Sequence, residues 1–83
     1  MASDRRTFDM IMRGSGSIAF RDLERLLLKL GFRLDRTRGS HRIYIHPSVS
    51  RPVSIQPVGK DAKRYQIRQI CDIINEFGLR LES

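Results

Sequence analysis

The segment Arg38-Gly39-Ser40-His41-Arg42-Ile43-Tyr44-Ile45-His46 carries the residues best suited to chemistry. A glycine turn lets the backbone approach a ligand closely. Ser40 can donate a hydrogen bond to a phosphate oxygen. His41 supplies an imidazole, the side-chain type best suited to general acid or base work. Arg38 and Arg42 flank it and could hold a scissile phosphate and its developing charge. RNA brings its own nucleophile, the 2′-hydroxyl, so a base, an acid and cations suffice to cut it without metal. Read only as structure, His41 is a surface residue at a strand start. His46 is the weaker candidate, either a second acid or base or an RNA contact, and simple surface placement is the plainer reading. The two histidines make no metal site, because no Cys, Asp or Glu lies at ligand spacing beside them. No paired carboxylates, phosphate-binding glycine loop or Ser-His-Asp arrangement is visible, and no cofactor is expected.

A second cluster is Lys60-Asp61-Ala62-Lys63-Arg64-Tyr65-Gln66, with Arg68 one turn beyond Arg64. Three basic residues crowd the start of a helix, where the dipole disfavours cations by roughly 0.3–1 kcal/mol each. An anion docked there would relieve this, since free backbone N–H groups and cations together make a phosphate site. On these local grounds Lys60, Lys63, Arg64, Tyr65 and Arg68 are expected to contact RNA. The plainer reading is long side chains reaching into water.

The charge distribution agrees. Of 83 residues, 16 are Lys or Arg and 9 are Asp or Glu, a formal net charge of +7, and thirteen of the basic residues are Arg. Arg presents a planar fork that fits phosphate oxygens. Residues 33–68 hold nine basic and two acidic side chains, whereas residues 69–83 are net negative. So concentrated a field points to a polyanion. No apolar run is long enough to cross a bilayer. Arg5 and Arg6 have no apolar stretch behind them, so the start does not read as a signal peptide. Cys71, the single cysteine, can form no internal disulfide. These features together predict a cytoplasmic protein with neither a membrane partner nor a small-molecule cofactor.

The elements that would position these residues can be read from periodicity. Phe8, Ile11 and Met12 fit a short first helix, followed by Gly and Ser up to residue 17. This divides the chain into an N-terminal extension, 1–17, and one domain, 18–83. Leu23, Leu26, Leu27 and Leu30 form one face of a second helix that stops at Gly31, with Leu28 off that face. Three alternating segments follow, around Phe32–Asp35, Arg42–His46 and Val53–Gln56, with short turns that favour antiparallel neighbours. Alternation places His41 with Ile43 and Ile45 on the helix-covered face, and Arg42, Tyr44 and His46 on the open one. A last helix is expected from an N-cap at Asp61, burying Ile67, Ile70, Cys71, Ile74 and Phe77 and ending at Gly78. Cys71 reads as a core residue. The predicted class is α+β: a three-stranded antiparallel sheet with helices on one face, in the order (α)αβββα.

In this order Leu30-Gly31-Phe32, Arg38-Gly39-Ser40-His41 and the stretch from Gln56-Pro57 to Gln69 resemble the HicA toxin family, from about Ile18 to Leu79. The resemblance implies a double-stranded-RNA-binding-domain-like fold. It implies metal-independent mRNA cleavage with the histidine of Gly-Ser-His, here His41, as catalyst. It also implies a HicB-type antitoxin that covers the active face. On the local chemistry of their segment, Arg38, Gly39, Ser40, Arg42 and Tyr44 are expected at the RNA. About fifteen residues precede the usual family start, and their role is open. Two other functions stay open on the residues alone: a non-catalytic RNA-binding module and a protein-interaction domain.

Overall fold

The computed structural model describes residues 3–14 and 16–81. Its elements are α1 (Asp4–Arg13), α2 (Phe20–Lys29), β1 (Arg33–Arg38), β2 (His41–His46), β3 (Val49–Ile55), β4 (Pro57–Val58), β5 (Asp61–Ala62) and α3 (Arg64–Phe77). The α+β class and the three-stranded antiparallel sheet, β1-β2-β3, are as expected, and a two-stranded hairpin, β4-β5, is added.

Helix α2 buries its predicted stripe completely: Leu23, Leu26 and Leu27 are inaccessible and Leu30 nearly so, while Leu28 faces outward. These leucines meet Val53 and Ile55 of β3 and Ile70, Ile73 and Ile74 of α3 in one core. Burying such side chains stabilises by about 1.5–3 kcal/mol each. Helix α1 joins this core through Ile11. Its first turn is capped by Ser3, whose Oγ accepts from the Arg6 N–H at 3.1 Å, which satisfies one orphan donor. Arg25 of α2 bonds both Asp4 of α1 and Asp22, each at 2.9 Å. Helix α1 is therefore built into the helical layer.

Helix α3 ends at Gly78 with φ +63°, as predicted, but it begins at Arg64 with Lys63 as N-cap. Asp61 is not its cap. Asp61 lies in β5 opposite Val58 and bridges to Ala19. The Phe20 N–H donates to the Lys60 carbonyl at 2.8 Å, and the Ala62 N–H donates to that of Ile18 at 2.9 Å. The hairpin thus ties the start of α2 to the start of α3, and its backbone bonds outcompete a cap at Asp61. Of the expected apolar stripe on α3, Ile70 and Ile74 are buried, with Ile73 beside them, while Ile67, Cys71 and Phe77 are only partly covered.

Candidate active site

Strand β2 is central, so its two faces have different fates. Paired residues of antiparallel strands share a face. Tyr44 pairs with Leu34 and Val53, and Arg42 with Thr37 and Ile55. Because Val53 and Ile55 lie in the core, Arg42, Tyr44 and His46 point toward the helices. His41, Ile43 and Ile45 point away. The expected assignment of the two faces is therefore reversed. Alternation separates two sets of residues but does not say which set is inward. Here the amphipathic set goes in, because each polar tip finds a partner at the helix layer.

Those partners are specific. Glu24 of α2 accepts two bonds from Arg42 Nη1, at 3.0 and 2.8 Å, and one from the Tyr44 hydroxyl at 2.8 Å. The Arg42 guanidinium also sits 5.8 Å above the Phe20 ring. Tyr44 is 3% exposed. Burial, reinforced by the Glu24 carboxylate, pushes its hydroxyl up to about 12 against the opposing pull of Arg42. Tyr44 is thus withdrawn from the surface, and Arg42 is engaged by a carboxylate. His46 is not a simple surface residue either. Its Nδ1 accepts from the Ser48 N–H at 2.9 Å, so its Nε2 carries the proton and donates to the Leu30 carbonyl at 2.9 Å. Its ring also meets Phe32 edge-on at 4.9 Å. His46 closes the end of α2 and the β2-β3 turn at once, and it leaves no lone pair free for proton transfer.

His41 is the opposite case. It is exposed and, among the described residues, its side chain has no hydrogen bond, ion pair or ring contact. It pairs with Arg38 across a two-residue turn, Gly39-Ser40. Gly39 has φ +60° at the first central position, which a II′-type hairpin reserves for glycine, and the space beside it is open. On the same face lie Arg36, opposite Ile43, and Arg33, opposite Ile45. The register slips at Asp35, a bulge that turns Arg36 and Arg38 to the side on which Arg33 already lies. Arg33 and Arg38 meet no carboxylate among the described residues, whereas Arg36 pairs with its neighbour Asp35 at 2.7 Å. Strict alternation hides this row by separating Arg33 from Arg36 and Arg38, so Arg33 and Arg36 escaped the sequence reading. A bulge leaves little trace in sequence.

The second cluster lies at the same end of the fold. His41 begins β2, whose start pairs with the end of β3, and the β4-β5 hairpin and α3 follow directly from that end. Lys60 occupies the hairpin turn, Lys63 is the N-cap of α3, and Arg64, Tyr65 and Arg68 belong to its first turns. No acidic side chain lies in that first turn and no side chain caps it. The Lys63 ammonium stands 5.8 Å from the Tyr65 ring, itself 62% exposed. Gln66 is buried and its Oε1 accepts from the Gln56 N–H at 2.9 Å, which locks the hairpin onto α3.

Among the described residues no three His, Cys, Asp or Glu side chains come together as a metal site. Cys71 is half-buried and accepts a weak bond from Asn75. No described helix is long and apolar enough to cross a membrane.

A protein-family model described as HicA toxin of bacterial toxin-antitoxin matches residues 20–79. No curated protein and no solved structure matches the chain. The matched span contains the whole sheet, the hairpin and α3, and α1 lies before it.

Proposed function

The chain belongs to the HicA toxin family, and from that premise we propose that it is an endoribonuclease that cuts mRNA with His41 and needs no metal. One observation carries this reading. His41 stands unpartnered on the open face of the sheet, with Arg38 opposite it and Arg33 further along. In its neutral form the imidazole takes the proton from a 2′-hydroxyl. The 2′-oxygen then bonds to phosphorus, and the bond to the 5′-oxygen breaks. That oxygen is protonated by solvent, which reaches this exposed face. Arg38 and the Ser40 hydroxyl stabilise the charge that builds on the phosphoryl oxygens. The products are a 2′,3′-cyclic phosphate and a 5′-hydroxyl.

Lys60 and Lys63, at the same end of the molecule, hold the strand by its phosphates, which sets register and affinity but not sequence. Arg42 and Tyr44 act differently from simple contacts. Through Glu24 they fasten the start of β2 to α2 and so hold His41 and its turn in place.

A toxin of this family has a cognate antitoxin. We infer an antitoxin of the HicB type with an acidic surface that lies over the open face and its arginines. The cellular location that fits an mRNA substrate is the cytoplasm.

The test is expression in a bacterial host without an antitoxin. Growth should stop and mRNA should be lost, and His41→Ala should abolish both while melting at the parent temperature. A folded His41→Ala protein that remained toxic and still degraded mRNA would refute the role of His41. Salt-sensitive RNA binding without any cleavage would leave only an RNA-binding module.

A further inference from the structure

Tyr65 is the most exposed large apolar side chain among the described residues, at 62%. It stands on a ridge between two concavities. One, of about 620 Å³, lies between α1 and α3. The other, of about 510 Å³, lies against the β4-β5 hairpin. Each is within the size range of small-ligand sites. The floor of the first is apolar and adaptable, with Met12 of α1 and Cys71 of α3. Its rim carries Arg13 of α1 and Arg64 and Arg68 of α3, against a single described acid, Asp72. None of these three arginines meets a carboxylate among the described residues.

We propose that this groove binds unpaired nucleotides of an RNA strand, one base stacking on Tyr65 and the adjoining phosphates held by Arg13, Arg64 and Arg68. The inference rests on the RNA-binding part of the function proposed above and extends it to α1, which lies outside the family-matched span. An exposed aromatic face among unpaired arginines is the arrangement that holds single strands without reading their sequence. An acidic peptide would satisfy the arginines and Lys63, which already stands over the Tyr65 ring, but it offers no flat group to stack on the rest of that exposed aromatic surface. The groove begins at the first turn of α3, at the His41 end of the fold. A strand crossing the open sheet face can therefore continue over the hairpin into it. Helix α1 thus supplies one wall of a substrate groove and gives the extension a role.

The experiment uses the full chain carrying His41→Ala, so that RNA stays intact. Affinity is measured for an oligouridine of about twelve nucleotides, within single-strand site sizes, and for an RNA duplex of the same length. Tyr65→Ala should weaken oligouridine binding by about 5- to 150-fold, the range of one base–aromatic stack, and leave duplex binding nearly unchanged. Tyr65→Phe should bind as the parent does. Arg13→Ala should lower the slope of log affinity against log salt by roughly one contact. The proposal is overturned if Tyr65→Ala binds oligouridine like the parent, or if strand and duplex weaken equally. It is also overturned if oligoglutamate binds with the same Tyr65 dependence and oligouridine does not. An active-site-intact protein that fails to cut RNA, while Tyr65-dependent strand binding persists, would sink the nuclease reading and leave this one standing.

Discussion

His41 and His46 open and close the same six-residue strand, yet they face opposite sides of the sheet and live in opposite circumstances. The first side chain has no partner among the described residues and is exposed. The second has both ring nitrogens committed to backbone groups and its ring against Phe32. An odd number of residues between two strand positions puts them on one face, and an even number on opposite faces. The four residues between the histidines thus leave only one of them with an uncommitted ring. The same contrast holds between the arginines. Arg38 projects freely beside His41, whereas Arg42 is neutralised by Glu24. Availability, more than residue type, separates the open face from the helix-covered one.

The contrast can be broken most sharply at the histidines. His41→Ala should lower single-turnover RNA cleavage by about 10²- to 10⁴-fold, the usual contribution of a general acid or base, with no change in urea midpoint. His46→Ala should do the reverse. It leaves the Leu30 carbonyl and the Ser48 N–H without their partner, at a cost of about 1–3 kcal/mol in urea unfolding. Its cleavage rate per folded molecule should stay at the parent level. Gly31→Ala probes the same clamp from the other side. A Cβ there would stand 2.9 Å from His46 Nε2, at a φ of +101°, and a loss of about 1–3 kcal/mol is expected by the same measurement. A His46→Ala protein that folds normally but does not cut RNA where the parent does would erase the distinction between the two faces.

Smaller effects sharpen it. Arg38→Ala should weaken RNA binding and reduce the salt slope by about one contact, and Arg42→Ala should change that slope less because its charge is already paired. Fluorescence anisotropy at several salt concentrations reads both. Tyr44 should add an alkaline limit to stability. Its folded value, about 12, lies above the ordinary 10.0. Its contribution is therefore complete below pH 10 and is lost as pH rises through 12. Tyr44→Phe should show a shallower fall in unfolding free energy across that window than the parent does.

Much of the architecture was legible because it follows from local rules. The leucines of α2 repeat at helical spacing, Gly31 and Gly78 stop their helices, and short turns between β segments force antiparallel pairing. Other features depend on competition between distant groups. The inward turn of Arg42, Tyr44 and His46 is decided by Glu24, the Leu30 carbonyl and Ser48, so alternation alone misplaced the faces. Asp61 has the chemistry of a cap, but Ala19 and Val58 claim its backbone for a bridge and a ladder. Gly59, with φ +61° next to Lys60, was the local sign of that hairpin. His41 and its Gly-Ser turn were legible in sequence. The arginine row beside it was not, because it depends on the slip in register at Asp35.

The account stands on one imidazole acting at an RNA phosphodiester with no help from metal. The direct measurement is the chemistry of the ends formed when purified protein and end-labelled RNA are incubated in EDTA, with the parent and His41→Ala side by side. The parent should leave 2′,3′-cyclic phosphate and 5′-hydroxyl ends, and the variant should leave the RNA whole. Ends carrying 3′-hydroxyl and 5′-phosphate groups, or equal cutting by both proteins, would contradict it.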